Sequence, residues 1–147
     1  MKPANDKWIR TGIELVDTQH AEYFRRLDIL LLMIGNSELN GYGLRKGFDF
    51  FRSYAVVHFD TEELLMKISS FPEIEEHVKA HDFFRDNIDR MAEDLNVGKD
   101  VPEVAEELKL FLTGWLEDHI ESYDLKLTRF LNEKLSSGLL EGNTSPG

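Results

Sequence analysis

The chain has 147 residues and no cysteine; 41% of the residues are hydrophobic, 31% are charged, and the formal net charge is −11. This composition indicates a single globular domain with a buried core, and the acidic balance argues against nucleic acid or an anionic membrane as a partner. Without thiolates, any metal must be held by nitrogen and oxygen ligands, which suit iron, manganese, copper or zinc.

The sequence also lacks the apolar segments that direct a chain to or across a membrane. No apolar run approaches the length needed to cross a bilayer, and the first residues lack the apolar core of a secretory signal. We therefore expect a cytoplasmic protein with no membrane partner.

Turn-forming residues at 36–43, 69–72 and 96–100 divide the chain after an N-terminal arm, residues 1–17. In each remaining segment apolar residues recur at alternating steps of three and four, and none shows sustained period-two alternation. The predicted helices cover residues 18–35, 43–68, 72–95 and 102–135. The predicted fold is all-α, an up-down-up-down antiparallel four-helix bundle with an extended N-terminal arm. Residues 1–135 form the expected domain, and 136–147 are expected to be a disordered tail.

Each predicted helix carries potential metal ligands inside its apolar stripe. The set includes all five histidines of the chain: His20 on the first helix, His58 and Glu62 on the second, His77 and His81 on the third, and His119 and Asp124 on the fourth. In the second and third helices the two residues are four apart, which places both on one helix face. In an up-down bundle, ligands near the start of one helix and the end of the next meet at the same end.

The joint pattern predicts a metal site more strongly than any of its parts. An isolated His-x-x-x-His, or a lone histidine on an apolar face, is usually a core or surface residue. Here five histidines and two acids fall at one end of one bundle interior. A buried glutamate without a partner would be costly, and coordination to a metal removes that cost.

Asp124 fits this pattern least well. It follows His119 by five residues, which on an ideal helix is about 140° away from the His119 direction. Either a wide turn or a sideways reach of the side chain is required, and the sequence leaves both open. His119 also lies in the middle of a long predicted segment, so the fourth helix must overhang the bundle or break.

From about Trp8 to Leu135 the chain resembles the hemerythrin family, and particularly bacterial hemerythrins. Four stretches carry the resemblance: GIELVDTQH ending at His20, HFDTEE from His58, FP at 71–72 before HVKAH from His77, and WLEDHI around His119 before Asp124. The family often has Tyr-Pro where this chain has Phe71-Pro72, and this difference should leave the metal site unchanged.

The resemblance implies a non-haem di-iron site, with two iron ions (Fe2+/Fe3+), a bridging oxo or hydroxo group, and dioxygen as the ligand. His77, His81 and His119 would bind one iron and His20 and His58 the other. Glu62 and Asp124 would bridge both ions. One coordination position of the second iron then stays open for a small ligand.

By the same resemblance Leu116 is the best candidate for the dioxygen pocket, with Phe59 and Trp115 as further candidates. Plain core packing is the alternative for all three, since apolar stripe positions usually face a core. We expect reversible dioxygen binding for storage, delivery or scavenging, and no catalytic residue. The alternatives are an oxygen or redox sensor module acting on an unidentified protein partner, and peroxide or nitric oxide detoxification at the same centre. An electron donor is not identified by the sequence.

Overall fold

The computed structural model describes residues 10–36 and 38–137, and this part of the chain contains helices and no strands. The first three helices are α1 (Glu14–Gly35), α2 (Gly41–Ser69) and α3 (Ile74–Asn96). The fourth helical rod of the bundle, called a rod here because it contains more than one helix type, runs without interruption through three segments: α4 (Val101–His119), a π-helical segment (Ile120–Asp124) and α5 (Leu125–Ser136). The predicted all-α four-helix bundle is confirmed. The predicted and observed ends of the helices differ by four residues or fewer.

Local chemistry sets the helix ends. The side chain of Asn40 accepts a hydrogen bond from the Gly43 N–H at the start of α2, where an N-cap residue satisfies a free amide. Ser70 ends α2 with a left-handed backbone (φ 57°), a common way to stop a helix. Pro102 occupies the first turn of α4, where its missing N–H costs nothing.

The first helix begins at Glu14, inside the segment that the sequence predicted as an arm up to residue 17. Asp17 explains the earlier start. Its carboxylate accepts hydrogen bonds from the backbone N–H of Thr11, at 2.6 Å, and of Gly12, at 3.3 Å. Gly12 has φ +91°, a conformation that favours glycine. The rest of the predicted arm, residues 1–9, and most of the predicted tail, residues 138–147, lie outside the described residues.

Helices that follow one another in the chain pack together, and α1 packs on α4 to close the bundle. The end of the bundle remote from the histidines is filled by the apolar core, defined here as the buried Leu27, Leu30, Leu44, Phe48, Phe51, Ile88, Met91, Leu95, Leu108 and Leu112. These positions recur every three or four residues along their helices, as a core-facing stripe requires.

Beyond the histidines, α5 continues past the end of the bundle and covers it. Leu127 and Leu131 of α5 pack with Met66 and Phe71 in a second, smaller apolar cluster. The ammonium of Lys134 donates a hydrogen bond to the backbone carbonyl of Ser69. The fourth rod therefore overhangs rather than breaks. None of the described helices is long and apolar enough to cross a membrane.

Candidate metal centre

The seven candidate ligands meet in one buried volume between the apolar core and α5. They come from all four rods of the bundle, and no side chain among them is more than 3% exposed: His20, His58, Glu62, His77, His81, His119 and Asp124. The sequence-predicted set is therefore brought together completely, while its role as a ligand set remains a prediction.

The π-helical segment brings Asp124 into this volume. The Leu125 N–H donates to the carbonyl of Ile120, five residues earlier, instead of the four that an α-helix requires. The wider turn reduces the angle between residues five apart, so the His119 and Asp124 side chains enter the same cavity. Of the two solutions that the sequence left open, the structure contains the wide turn.

The ligand atoms form two groups that share two members. In the first, atoms of His77, His81 and His119 lie with one oxygen of each carboxylate within 4.8 Å of one another. In the second, His20 and His58 lie with Glu62 and Asp124 within the same limit. Each group alone offers at least four nitrogen or oxygen donors, which is enough to enclose one metal ion.

The two oxygens of each carboxylate face different groups. Glu62 Oε1 lies 3.0 Å from His81 Nε2 and 3.3 Å from His77 Nε2, whereas its Oε2 lies 3.5 Å from His58 Nε2. Asp124 Oδ1 lies 3.0 Å from His119 Nε2, whereas its Oδ2 lies 2.9 Å from His20 Nε2. Each carboxylate therefore presents one oxygen to each group of ligand atoms.

Several of these close pairs are not hydrogen bonds. Among the described residues, eight buried polar atoms have no hydrogen-bond partner, including His20 Nε2, His58 Nε2, Glu62 Oε2 and both Asp124 oxygens. Buried polar atoms in native proteins are nearly always satisfied. Adjacent ligands at right angles around an ion with bonds of about 2.1 Å are about 3 Å apart, which matches these separations. The donor set therefore fits metal ions better than it fits a hydrogen-bonded network.

Burial favours the neutral imidazole at His58 and His81, and metal ligation requires that form. Burial, followed by the neighbouring His20, lowers the pKa of His58 well below its ordinary value. Burial and the nearby His119 and His77 lower the pKa of His81 as well. Burial also raises the pKa of Glu62, and the adjacent Asp124 carboxylate adds to the effect. A cation between the two carboxylates removes this penalty.

Two histidines have their Nδ1 atoms hydrogen-bonded by side chains that the sequence analysis did not identify. Glu63 Oε2 lies 2.8 Å from His81 Nδ1, and Gln19 Oε1 lies 2.7 Å from His58 Nδ1. Both acceptors stand one residue from a candidate ligand in the sequence, next to Glu62 and His20. Adjacency was the only available signal, because the histidine that each one meets lies on a different helix.

Aromatic side chains close the cavity on the side of the apolar core. The Phe59 ring stacks on His81, with centroids 3.9 Å apart, and the Trp115 ring stacks on His119, at 4.4 Å. Leu116 is fully buried, one turn before His119. The structure leaves the assignment of these three residues to a dioxygen pocket as a prediction.

Comparison with known proteins places this sequence in a family. The family model described as "Hemerythrin HHE cation binding domain" matches residues 11–131. A bacteriohemerythrin from Stenotrophomonas maltophilia is 25% identical over 140 residues, which cover 90% of this chain and 88% of that protein. Bacteriohemerythrins from Pseudomonas paraeruginosa and Pseudomonas aeruginosa are 27% identical over 116 residues, or 79% of this chain and 72% of theirs.

Proposed function

The chain belongs to the hemerythrin family, and from that membership we propose that it binds dioxygen reversibly at a pair of iron ions. The division of the cavity into two donor groups that share both carboxylates supports this proposal most directly. When bound, the iron pair supplies the electrons that dioxygen takes up on binding and returns on release. The protein would serve storage, delivery or scavenging of dioxygen and would use no catalytic residue.

We propose that the ligands divide as the donor groups do. One ion would be held by His77, His81 and His119. The other would be held by His20 and His58, and Glu62 and Asp124 would bind both ions. With an oxo or hydroxo bridge from solvent, the first ion has six donors and the second has five. The open position on the second ion is where a small ligand would bind.

The ligand chemistry favours binding over oxygen activation. Di-iron proteins of the ferritin type use carboxylate-rich sites with Glu-x-x-His motifs. The present set contains five neutral imidazoles and only two carboxylates, so the ions are less electron-rich and cleavage of the O–O bond is harder.

The surrounding side chains would keep water from the site. Phe59 and Trp115 lie flat against two of the imidazoles, and Leu116 is fully buried. An apolar wall of this kind lets dioxygen pass while it excludes water and charged reductants. A smaller residue at 116 should therefore speed irreversible oxidation, and the same change at Leu112, one turn farther from His119, should not.

Visible spectroscopy tests the proposal. Anaerobically reduced protein with two irons per chain should gain a charge-transfer band when dioxygen is added and lose it when dioxygen is removed. Prompt irreversible oxidation would contradict a carrier role and would favour peroxide or nitric oxide chemistry, or redox sensing, at the same centre.

A matched pair of variants tests the ligand assignment. Glu62→Ala removes a proposed bridge and should abolish binding of both irons. Asp60→Ala removes an exposed carboxylate from the same helix and should leave two irons per chain. Two irons in Glu62→Ala, or unchanged dioxygen binding in His77→Ala, would show that the ligands are assigned incorrectly.

A further inference from the structure

The two donor groups differ in the side chain that accepts a hydrogen bond from a histidine Nδ1, the ring nitrogen that faces away from the cavity. Metal-binding histidines usually donate their second ring N–H to an acceptor, which fixes the ring and makes the metal-facing nitrogen a better donor. Among the described residues, Nδ1 has no hydrogen-bond partner in three of the five histidines, His20, His77 and His119. In each group, therefore, only one histidine has a side chain hydrogen-bonded to its Nδ1.

In the three-histidine group that residue is His81, and its acceptor carries a charge. The carboxylate of Glu63 can only accept, so the proton lies on Nδ1 of His81 and the lone pair of Nε2 faces Glu62. A hydrogen bond to an ionised acceptor is stronger than one to a neutral acceptor. The Glu63 side chain is 19% exposed, so solvent screens it only in part.

Arg85 fixes the position of this carboxylate. Its Nη2 lies 3.1 Å from Glu63 Oε2, and its Nη1 lies 2.9 Å from Asp82 Oδ1. The guanidinium also lies over the Phe59 ring, 5.0 Å from the centroid, and that ring stacks on His81. Arg85, Glu63, His81 and Phe59 therefore form one packed unit around a single imidazole.

In the two-histidine group the corresponding acceptor is neutral. Gln19 Oε1 accepts from His58 Nδ1 at 2.7 Å, and its Nε2 donates to Thr61 Oγ1 at 3.2 Å. The Tyr54 hydroxyl donates to the Gln19 backbone carbonyl at 2.7 Å. The Thr61 hydroxyl donates its own proton to the Val57 carbonyl, so it accepts from the Gln19 amide nitrogen. This leaves the amide oxygen facing the imidazole, while the Tyr54 contact holds the Gln19 backbone. The geometry at His58 matches that at His81, but the acceptor has no charge.

We propose that Glu63 and Gln19 are positioning residues that make the two metal positions electronically unequal. The anionic acceptor makes His81 the stronger electron donor, which stabilises the oxidised form of the ion in the three-histidine group. The neutral acceptor leaves the ion in the two-histidine group easier to reduce. This inference rests on the proposed function, since it concerns the redox balance of the same two ions.

Exchange of the two acceptors is the test. Glu63→Gln keeps an acceptor oxygen but removes the charge, and the affinity of the three-histidine position for ferric relative to ferrous iron should fall about tenfold, equivalent to about 59 mV for one electron. Gln19→Glu adds a charge behind His58 and should shift the other ion by a similar amount in the opposite direction. The reduction potentials are measured by spectroelectrochemical titration of the iron-loaded protein.

Asp60→Asn is the control for charge alone. It removes one exposed carboxylate from α2 without touching a candidate ligand, and solvent screens its effect. A shift in Asp60→Asn equal to that in Glu63→Gln would overturn the proposal, because Glu63 would then act only as a remote charge. Wild-type protein that fails to hold two irons would instead overturn the proposed function.

A measurement on the metal-free protein tests the contacts even if a variant loses iron. Nitrogen-15 NMR should show both His58 and His81 protonated on Nδ1, and Glu63→Gln should move only the His81 resonances. Protonation of His81 on Nε2, or no response of His81 to Glu63→Gln, would overturn the role of Glu63 independently of any metal.

Discussion

The two ends of the bundle are built from the same four rods but are filled with opposite chemistry. The apolar core contains leucine, phenylalanine, isoleucine and methionine side chains, and burial alone stabilises it. At the other end seven titratable side chains occupy the interior, and eight buried polar atoms among the described residues have no hydrogen-bond partner. The apolar end needs nothing but protein atoms to be stable, whereas the other end needs a cation to provide partners for its buried polar atoms.

Removal of metal should produce the largest difference between the two ends, measured as protection from hydrogen exchange. With a chelator, amides near His58, His77 and His119 should lose protection from hydrogen exchange by at least about a hundredfold, since coordination no longer offsets the buried charges. Amides near Phe48 and Leu108 should keep most of their protection. A uniform loss along all helices would mean that the ends fold as one unit and that the apolar core depends on the ions.

The converse change damages the apolar core and leaves the metal in place. Leu112 is fully buried, and Leu112→Ala should lower the free energy of unfolding by about 2–5 kcal/mol. Iron content should stay at two per chain. Leu110→Ala, at a position 65% exposed on the same helix, should change stability by less than about 0.5 kcal/mol. Urea denaturation with iron analysis checks both, and loss of iron in Leu112→Ala would contradict the separation.

A pH series on metal-free protein probes one buried imidazole. Burial lowers the pKa of His58, so below pH about 6.5 the unfolded chain binds a proton there that the folded chain does not. His58 therefore costs about 1.4 kcal/mol of stability per pH unit below that value and nothing above it. Relative to wild type, His58→Gln should gain about 1 kcal/mol of stability between pH 6.5 and 5.5, since the unfolded imidazole is only half protonated at pH 6.5. An unchanged difference would mean that His58 is charged in the folded metal-free protein.

A similarly small effect is expected where α5 packs over the metal end of the bundle. Lys134→Met removes the hydrogen bond to the Ser69 carbonyl and should cost about 1–2 kcal/mol. Lys126→Met, on the same helix but in a largely exposed ion pair with Glu73, should cost less than about 0.5 kcal/mol. Equal effects in thermal melts of the metal-loaded proteins would show that the Lys134 contact does not hold α5 in place.

The sequence predicted the bundle and the convergence of the seven side chains because both depend on periodicity. A residue inside an apolar stripe faces the interior whatever its chemistry, so His58 and Glu62 follow the same geometric rule as Leu44 or Phe48. The element boundaries were less accurate at the first helix, where the contacts of Asp17 with Thr11 and Gly12 start the helix before residue 18.

Other features could not be predicted because they depend on more than one element or on a single extra residue. The π-helical segment leaves no mark in the composition of residues 120–124, and only the awkward spacing of His119 and Asp124 hinted at it. Glu63 and Gln19 lie outside the apolar stripes, and each meets a histidine on another helix. Their roles follow from how the helices are rotated against one another, which periodicity does not specify.

The overhang of α5 also has a kinetic consequence. Leu127, Leu131 and the Lys134 contact join α5 to the end of the bundle next to the candidate ligands, so we expect local opening of α5 to be one route by which iron exchanges. On that route the exchange rate becomes independent of the free iron concentration once opening is rate-limiting.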